Sequence, residues 1–105
     1  MIDSAKINDI ITKIALNFNP DKIILFGSYA SGTPDNSSDL DLLIIKDTDL
    51  PRHRRSNDIY KSLIGLMIPV DILVYTNNEF EQEKEQKYSF ISSAIKTSKL
   101  VYERK

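Results

Sequence analysis

Three short apolar runs, held apart by helix-period segments and turn formers, constrain this chain more than any other feature. They are residues 22–26 (KIILF), 39–46 (DLDLLIIK) and 69–75 (PVDILVY). Runs of this length, rich in β-branched residues and closed by glycine, proline or polar residues, read as strands. Residues 4–18 precede them as an amphipathic helix. Ile7, Ile10, Ile11 and Ile14 fall at i, i+3, i+4 and i+7, and Pro20 lies just past the end. Residues 27–32 (GSYASG) form a turn that opens a short helix, and residues 32–38 (GTPDNSS) form a loop. Pro51 starts a third helix that runs to about Met67, with Ile59, Leu63, Leu66 and Met67 as its apolar stripe. Thr76 and Glu79 make a capping-box pattern that opens a fourth helix over a strongly charged surface stretch. Residues 88–98, with Phe90, Ile91, Ala94 and Ile95, form a last helix. The predicted order is αβαβαβαα, an α/β fold on a small, mixed three-stranded sheet flanked by helices. At 105 residues the chain suits one domain, residues 1–105, with a small core.

Composition narrows the function. Lys and Arg total 14 against 15 Asp and Glu, so a generic basic nucleic-acid coat protein is excluded and direct nucleic-acid binding is not expected. The absence of cysteine excludes a disulfide scaffold, a cysteine zinc site and a thiol nucleophile. A single histidine leaves little room for a histidine metal site. No apolar run is long enough to span a bilayer, and the N-terminus lacks the build of a signal peptide. The expectation is a soluble, cytoplasmic domain with no membrane partner.

Asp39 and Asp41 stand at alternate positions of one strand, so they share a face at its start. Aspartate is disfavoured in strands, and two of them in this pattern need a reason. The second strand, third helix and third strand make a β-α-β crossover, which sets the strands parallel and brings Asp71 to the same end. If the first two strands are antiparallel neighbours, the Gly27-Ser28 turn reaches that end as well. Three carboxylates there repel one another: at ~5 Å and an effective dielectric of ~20, each pair costs at most about 3 kcal/mol. Divalent cations offset such repulsion, and Mg²⁺ commonly binds one or two carboxylates together with substrate phosphates. The Gly-Ser turn offers backbone N–H groups and a hydroxyl to a phosphate. Metals beside a phosphate cradle point to phosphoryl or nucleotidyl transfer.

Gly27-Ser28, ten intervening residues and Asp39-Leu40-Asp41, followed by Asp71 in an apolar strand, resemble the GSx10DxD signature of the DNA polymerase beta-like nucleotidyltransferase superfamily. The length is similar to the minimal nucleotidyltransferases, the MntA-type antitoxins encoded beside HEPN-domain toxins. The resemblance implies that Gly27 and Ser28 hold the triphosphate of ATP. It implies that Asp39 and Asp41 bind two Mg²⁺ ions and that Asp71 completes the catalytic metal site and helps activate the acceptor hydroxyl. It also implies AMP transfer to a tyrosine of a HEPN toxin, which silences that toxin. Such a chain is expected to bind its HEPN partner and to form a homodimer when alone. Two other readings stay open: a nucleotidyltransferase for small molecules such as antibiotics, and an antitoxin that blocks its toxin by contact alone. The cluster Arg52, His53, Arg54, Arg55 is either a solvated face paired with Asp47, Asp49 and Asp58, or a contact to toxin, RNA or phosphate. Tyr29, beside the motif, belongs to the core or to the nucleotide pocket.

Overall fold

Each predicted strand forms, and a fourth joins them. The computed structural model describes residues 1–105. Helix α1 (Ser4–Phe18) begins where the Asp3 side chain accepts the Lys6 N–H, and it ends at Asn19 in the left-handed conformation. The chain continues through β1 (Lys22–Phe26), α2 (Ser28–Ser31), β2 (Leu40–Ile45), α3 (Asn57–Ser62), β3 (Val70–Tyr75), α4 (Asn77–Lys84), α5 (Phe90–Ala94) and β4 (Lys99–Glu103). The strands lie in the order β3-β2-β1-β4. β1 is antiparallel to both β2 and β4, whereas β2 and β3 are parallel, as the crossover requires.

Alternation along the strands divides the core in two. Ile23, Leu25, Leu40, Leu42, Ile44, Ile72 and Val74 pack with Ile10, Ile11 and Ile14 of α1 and Ile59 of α3. Ile24, Leu43, Ile45 and Tyr75, on the opposite face, pack with Phe80 of α4 and Ile91 of α5. β2 is buried on both faces, which explains its nearly continuous apolar sequence.

The structure corrects the sequence reading in three places. The sheet has four strands rather than three, because residues 99–103 pair with β1. This strand lies on an edge, exposed at Lys99, Leu100 and Glu103 and only partly buried at Val101 and Tyr102, so burial leaves no period-2 signature in its sequence. The third helix is also shorter than 51–67. A 3-10 turn at Arg52–Arg54 precedes α3, which ends at Ser62. Gly65 and Met67 both have positive φ, which ends helical geometry. Only Ile59 and Leu63 of the expected stripe pack on the core, and Met67 is 94% exposed. The last helix is confined to α5, with a 3-10 turn at Ile95–Thr97 in place of a helix spanning 88–98.

Candidate active site

The carboxylates assemble at one end of the sheet because register and alternation both place them there. Asp41 stands directly opposite Asp71 across the parallel β2–β3 pair, and Phe26 stands opposite Asp41 across the antiparallel β1–β2 pair. β1 therefore delivers the Gly27-Ser28 turn beside Asp41. Asp39 lies one residue before β2 and is exposed. The inward alternates of β2 and β3 on this face, Leu43, Ile45 and Tyr75, are covered by α4 and α5. The cover stops short of Asp41, Asp71 and Leu73, which lies exposed beside them, so the carboxylates stand at the open end of this face.

Electrostatics record their proximity. The Asp41 carboxyl is pushed above the usual carboxylate range by partial burial, then by the charges of Asp71 and Asp39. Asp71 is pushed up by burial, by the Asp39 charge and by a side-chain hydrogen bond with Asp39. The three side chains ring the rim without being drawn together as a closed ligand set, and no cluster of three His, Cys, Asp or Glu residues encloses a metal position. Their chemistry nevertheless fits a hard divalent cation: oxygen donors only, with excess negative charge that nothing in the chain neutralises.

Gly27 adds a second fitting feature. Its backbone lies at φ 75° and ψ −156°, a region that in practice only glycine enters. A Cβ at this position would come 2.2 Å from Oδ2 of Asp41. Gly27 thus lets the turn and the carboxylate share one space. Ser28 begins α2, whose N-cap Gly27 supplies no side-chain hydrogen bond to the first turn.

A cavity of ≈ 250 Å³ opens beside the carboxylates, bounded by Asp41, Asp71, Phe26, Leu73, Phe90 and Tyr60. Phe26 and Phe90 meet edge to face at 5.6 Å. None of these apolar walls carried a sequence signal distinct from core residues; their role depends on where the helical cover ends.

Two open sequence readings acquire definite places. Tyr29 packs against the core, and its hydroxyl accepts the Ile2 N–H at 2.9 Å. Of the basic cluster, Arg55 and Arg52 are paired within the fold, whereas His53 and Arg54 are exposed. The Arg55 side chain, 9% exposed, donates to the carbonyls of Leu50 and Val74 and grips Glu79 at 2.6 and 3.2 Å. Arg52 lies 4.5 Å over the Tyr75 ring and pairs with Glu83 at 3.2 Å and Glu79 at 3.4 Å. These partners differ from the expected Asp47, Asp49 and Asp58, since Asp47 instead accepts from Asn77. Both arginines gather at the C-terminal end of β3, away from Asp71 near its start.

The sheet is small and mixed, with paired carboxylates on adjacent parallel strands and a glycine turn pressed against one of them. Residues 8–105 match the family model for the polymerase beta nucleotidyltransferase domain, and the chain belongs to that family. A candidate protein adenylyltransferase of Methanocaldococcus jannaschii, MJ0141, is 39% identical over 54 residues, covering 51% of this chain and 54% of that protein. The match thus spans about half the length of this curated relative. A candidate nucleotidyltransferase from Sulfolobus solfataricus has a similar structure, with a TM-score of 0.65 and 21% identity, covering 93% of this chain and 78% of the other. A toxin–antitoxin structure with AMP-PNP gives a TM-score of 0.64 and 22% identity, covering 93% and 73%. At these identities the structural likeness is one of fold. No helix is long and apolar enough to cross a membrane.

Proposed function

We propose that this chain is an ATP- and Mg²⁺-dependent adenylyltransferase that modifies a tyrosine hydroxyl of a HEPN-domain toxin and so acts as its antitoxin in the cytoplasm. One observation carries the chemistry: Asp41 and Asp71 face each other in register, with Gly27 against Asp41. The family match, the adenylyltransferase relative and the toxin–antitoxin neighbour support the reading. Asp39, Asp41 and Asp71 would hold two Mg²⁺ ions, which when bound supply charge neutralisation at the reacting phosphate. Gly27 and Ser28 bind the triphosphate through backbone N–H groups and the Ser28 hydroxyl. Asp71 takes the acceptor's proton as its oxygen attacks the α-phosphate and pyrophosphate leaves, a role supported by its exposure on the edge strand. The open end of the site leaves room for an acceptor carried by another chain.

Intact-protein mass spectrometry tests the reading. With ATP, Mg²⁺ and a cognate HEPN-domain protein, the chain should add whole AMP units to that partner and release pyrophosphate. Asp41→Asn and Asp71→Asn should each lower the rate at least about 100-fold, because this chemistry depends on placed charge. A partner left unmodified by wild type, with a small-molecule alcohol adenylylated instead, would favour the antibiotic-type reading. Neutralisation undiminished in both variants would favour inhibition by contact alone.

A further inference from the structure

The hydroxyl of Tyr60, on α3, accepts a hydrogen bond from the Ile72 N–H at 2.8 Å. Ile72 follows Asp71 directly, so this bond holds the peptide that joins them. β3 has a strand neighbour on one side only, and its outward N–H groups have no ladder partner. Tyr60 supplies one from α3, whose Ile59 packs on the α1 side of the sheet. Core packing gives no sufficient reason for the residue, since Tyr60 is 39% exposed while Ile59 beside it fills the core. The same tyrosine bounds the cavity that contains Asp41 and Asp71.

Repulsion supplies the reason for such a tie. Asp71 faces Asp41 across the β2–β3 pair and lies beside Asp39. β2 is an inner strand fixed on both sides, so any relaxation of the repelling pair must occur at β3, the edge. We infer that Tyr60 is a positioning residue: by holding the Asp71–Ile72 peptide at the open edge of the sheet, it keeps Asp71 opposite Asp41 while the two carboxylates repel. The inference rests on the proposed adenylyl transfer for its catalytic meaning, and on the hydrogen bond alone for its structural meaning.

Tyr60→Phe keeps the ring and removes only the oxygen. Ser62→Ala is the control, because it deletes another hydroxyl of α3, one that donates to the Ile59 carbonyl at 2.7 Å and lies outside the site. In Tyr60→Phe the Ile72 amide should exchange with solvent at least about tenfold faster, and kcat for AMP transfer should fall about tenfold, as for lost partners of metal ligands. KM for ATP should stay within about twofold, because the triphosphate is held elsewhere. Affinity for Mg²⁺ alone, measured by calorimetry at saturating AMP-PNP, should fall in Tyr60→Phe and not in Ser62→Ala. Equal kcat in Tyr60→Phe and Ser62→Ala at matched thermal stability would overturn the inference. If wild type transfers no AMP, the proposed function falls separately, and calorimetry decides: Mg²⁺ affinity at saturating AMP-PNP unchanged in Tyr60→Phe would overturn the positioning role, and a selective loss would support it.

Discussion

At Gly27 two physical demands meet in one residue. The backbone angles lie where any side chain is strained, and the space a Cβ would take is already filled by the Asp41 carboxylate. Gly27→Ala therefore has no benign outcome: either the turn shifts away from β2 or Asp41 is forced off its position. The expected loss of stability is about 1–3 kcal/mol, typical of an imposed backbone outlier. The loss in AMP transfer should exceed what that instability explains, reaching about tenfold or more, because a small misplacement suffices to spoil reacting geometry. Urea denaturation beside single-turnover kinetics separates the two effects. A variant with full activity and reduced stability would mean that the turn does not set the position of Asp41 during the reaction.

At the scale of elements, the junction of α3, β3 and α4 is held by charge rather than by apolar packing alone. Arg55 reaches from the turn before α3 to the carbonyl of Val74 in β3 and to Glu79 in α4. Glu79 also accepts the Thr76 N–H, while the Thr76 side chain accepts the Glu79 N–H. The Arg55 hydrogen bond is the main cause holding the Glu79 carboxyl down from 4.5 to about 2. A carboxylate depressed in the folded state contributes stability that is fully present above its unfolded value, and the contribution disappears as pH falls through the folded value. Glu79→Gln should therefore be less stable than wild type at pH 7, by about 1–2 kcal/mol once solvent screening is allowed for. That gap should narrow as pH falls from about 4.5 towards about 2. Thermal melts of both proteins across this range measure it. A gap that does not vary with pH would mean that Glu79 acts only through its uncharged contacts.

For the whole molecule, β4 decides whether β1 is protected on both sides. It converts β1 from an edge into an inner strand, and its Val101 and Tyr102 pack against the larger core. Its end is further fastened by an ion pair between Arg104 and Asp21. A chain shortened to end at Ser98 would expose one side of β1, including the fully buried Ile23, and would lose those contacts. A domain of this size has only about 5–15 kcal/mol of stability, so the shortened chain should lose its cooperative transition in urea. A transition at the wild-type midpoint would show that three strands are enough.

The sequence by itself determined three of the four strands, the first helix and the fourth helix's capping box, because burial and capping leave local signatures. It also determined which residues are candidates for chemistry. Asp39, Asp41 and Asp71 stand out because aspartates interrupt runs that burial otherwise keeps apolar, and Gly27 and Ser28 stand out by their spacing from them. What only the tertiary structure decided are relations between distant segments. The pairing of residues 99–103 with β1 could not be read, because a half-exposed edge strand has no periodic pattern. Helix α3 ends early at a bend whose exposed apolar residues imitate the stripe of a longer helix. The Arg55–Glu79 grip and the Tyr60 bond to the Ile72 N–H join residues 24 and 12 positions apart. Such contacts depend on where folded segments meet, and local propensity carries no record of that meeting.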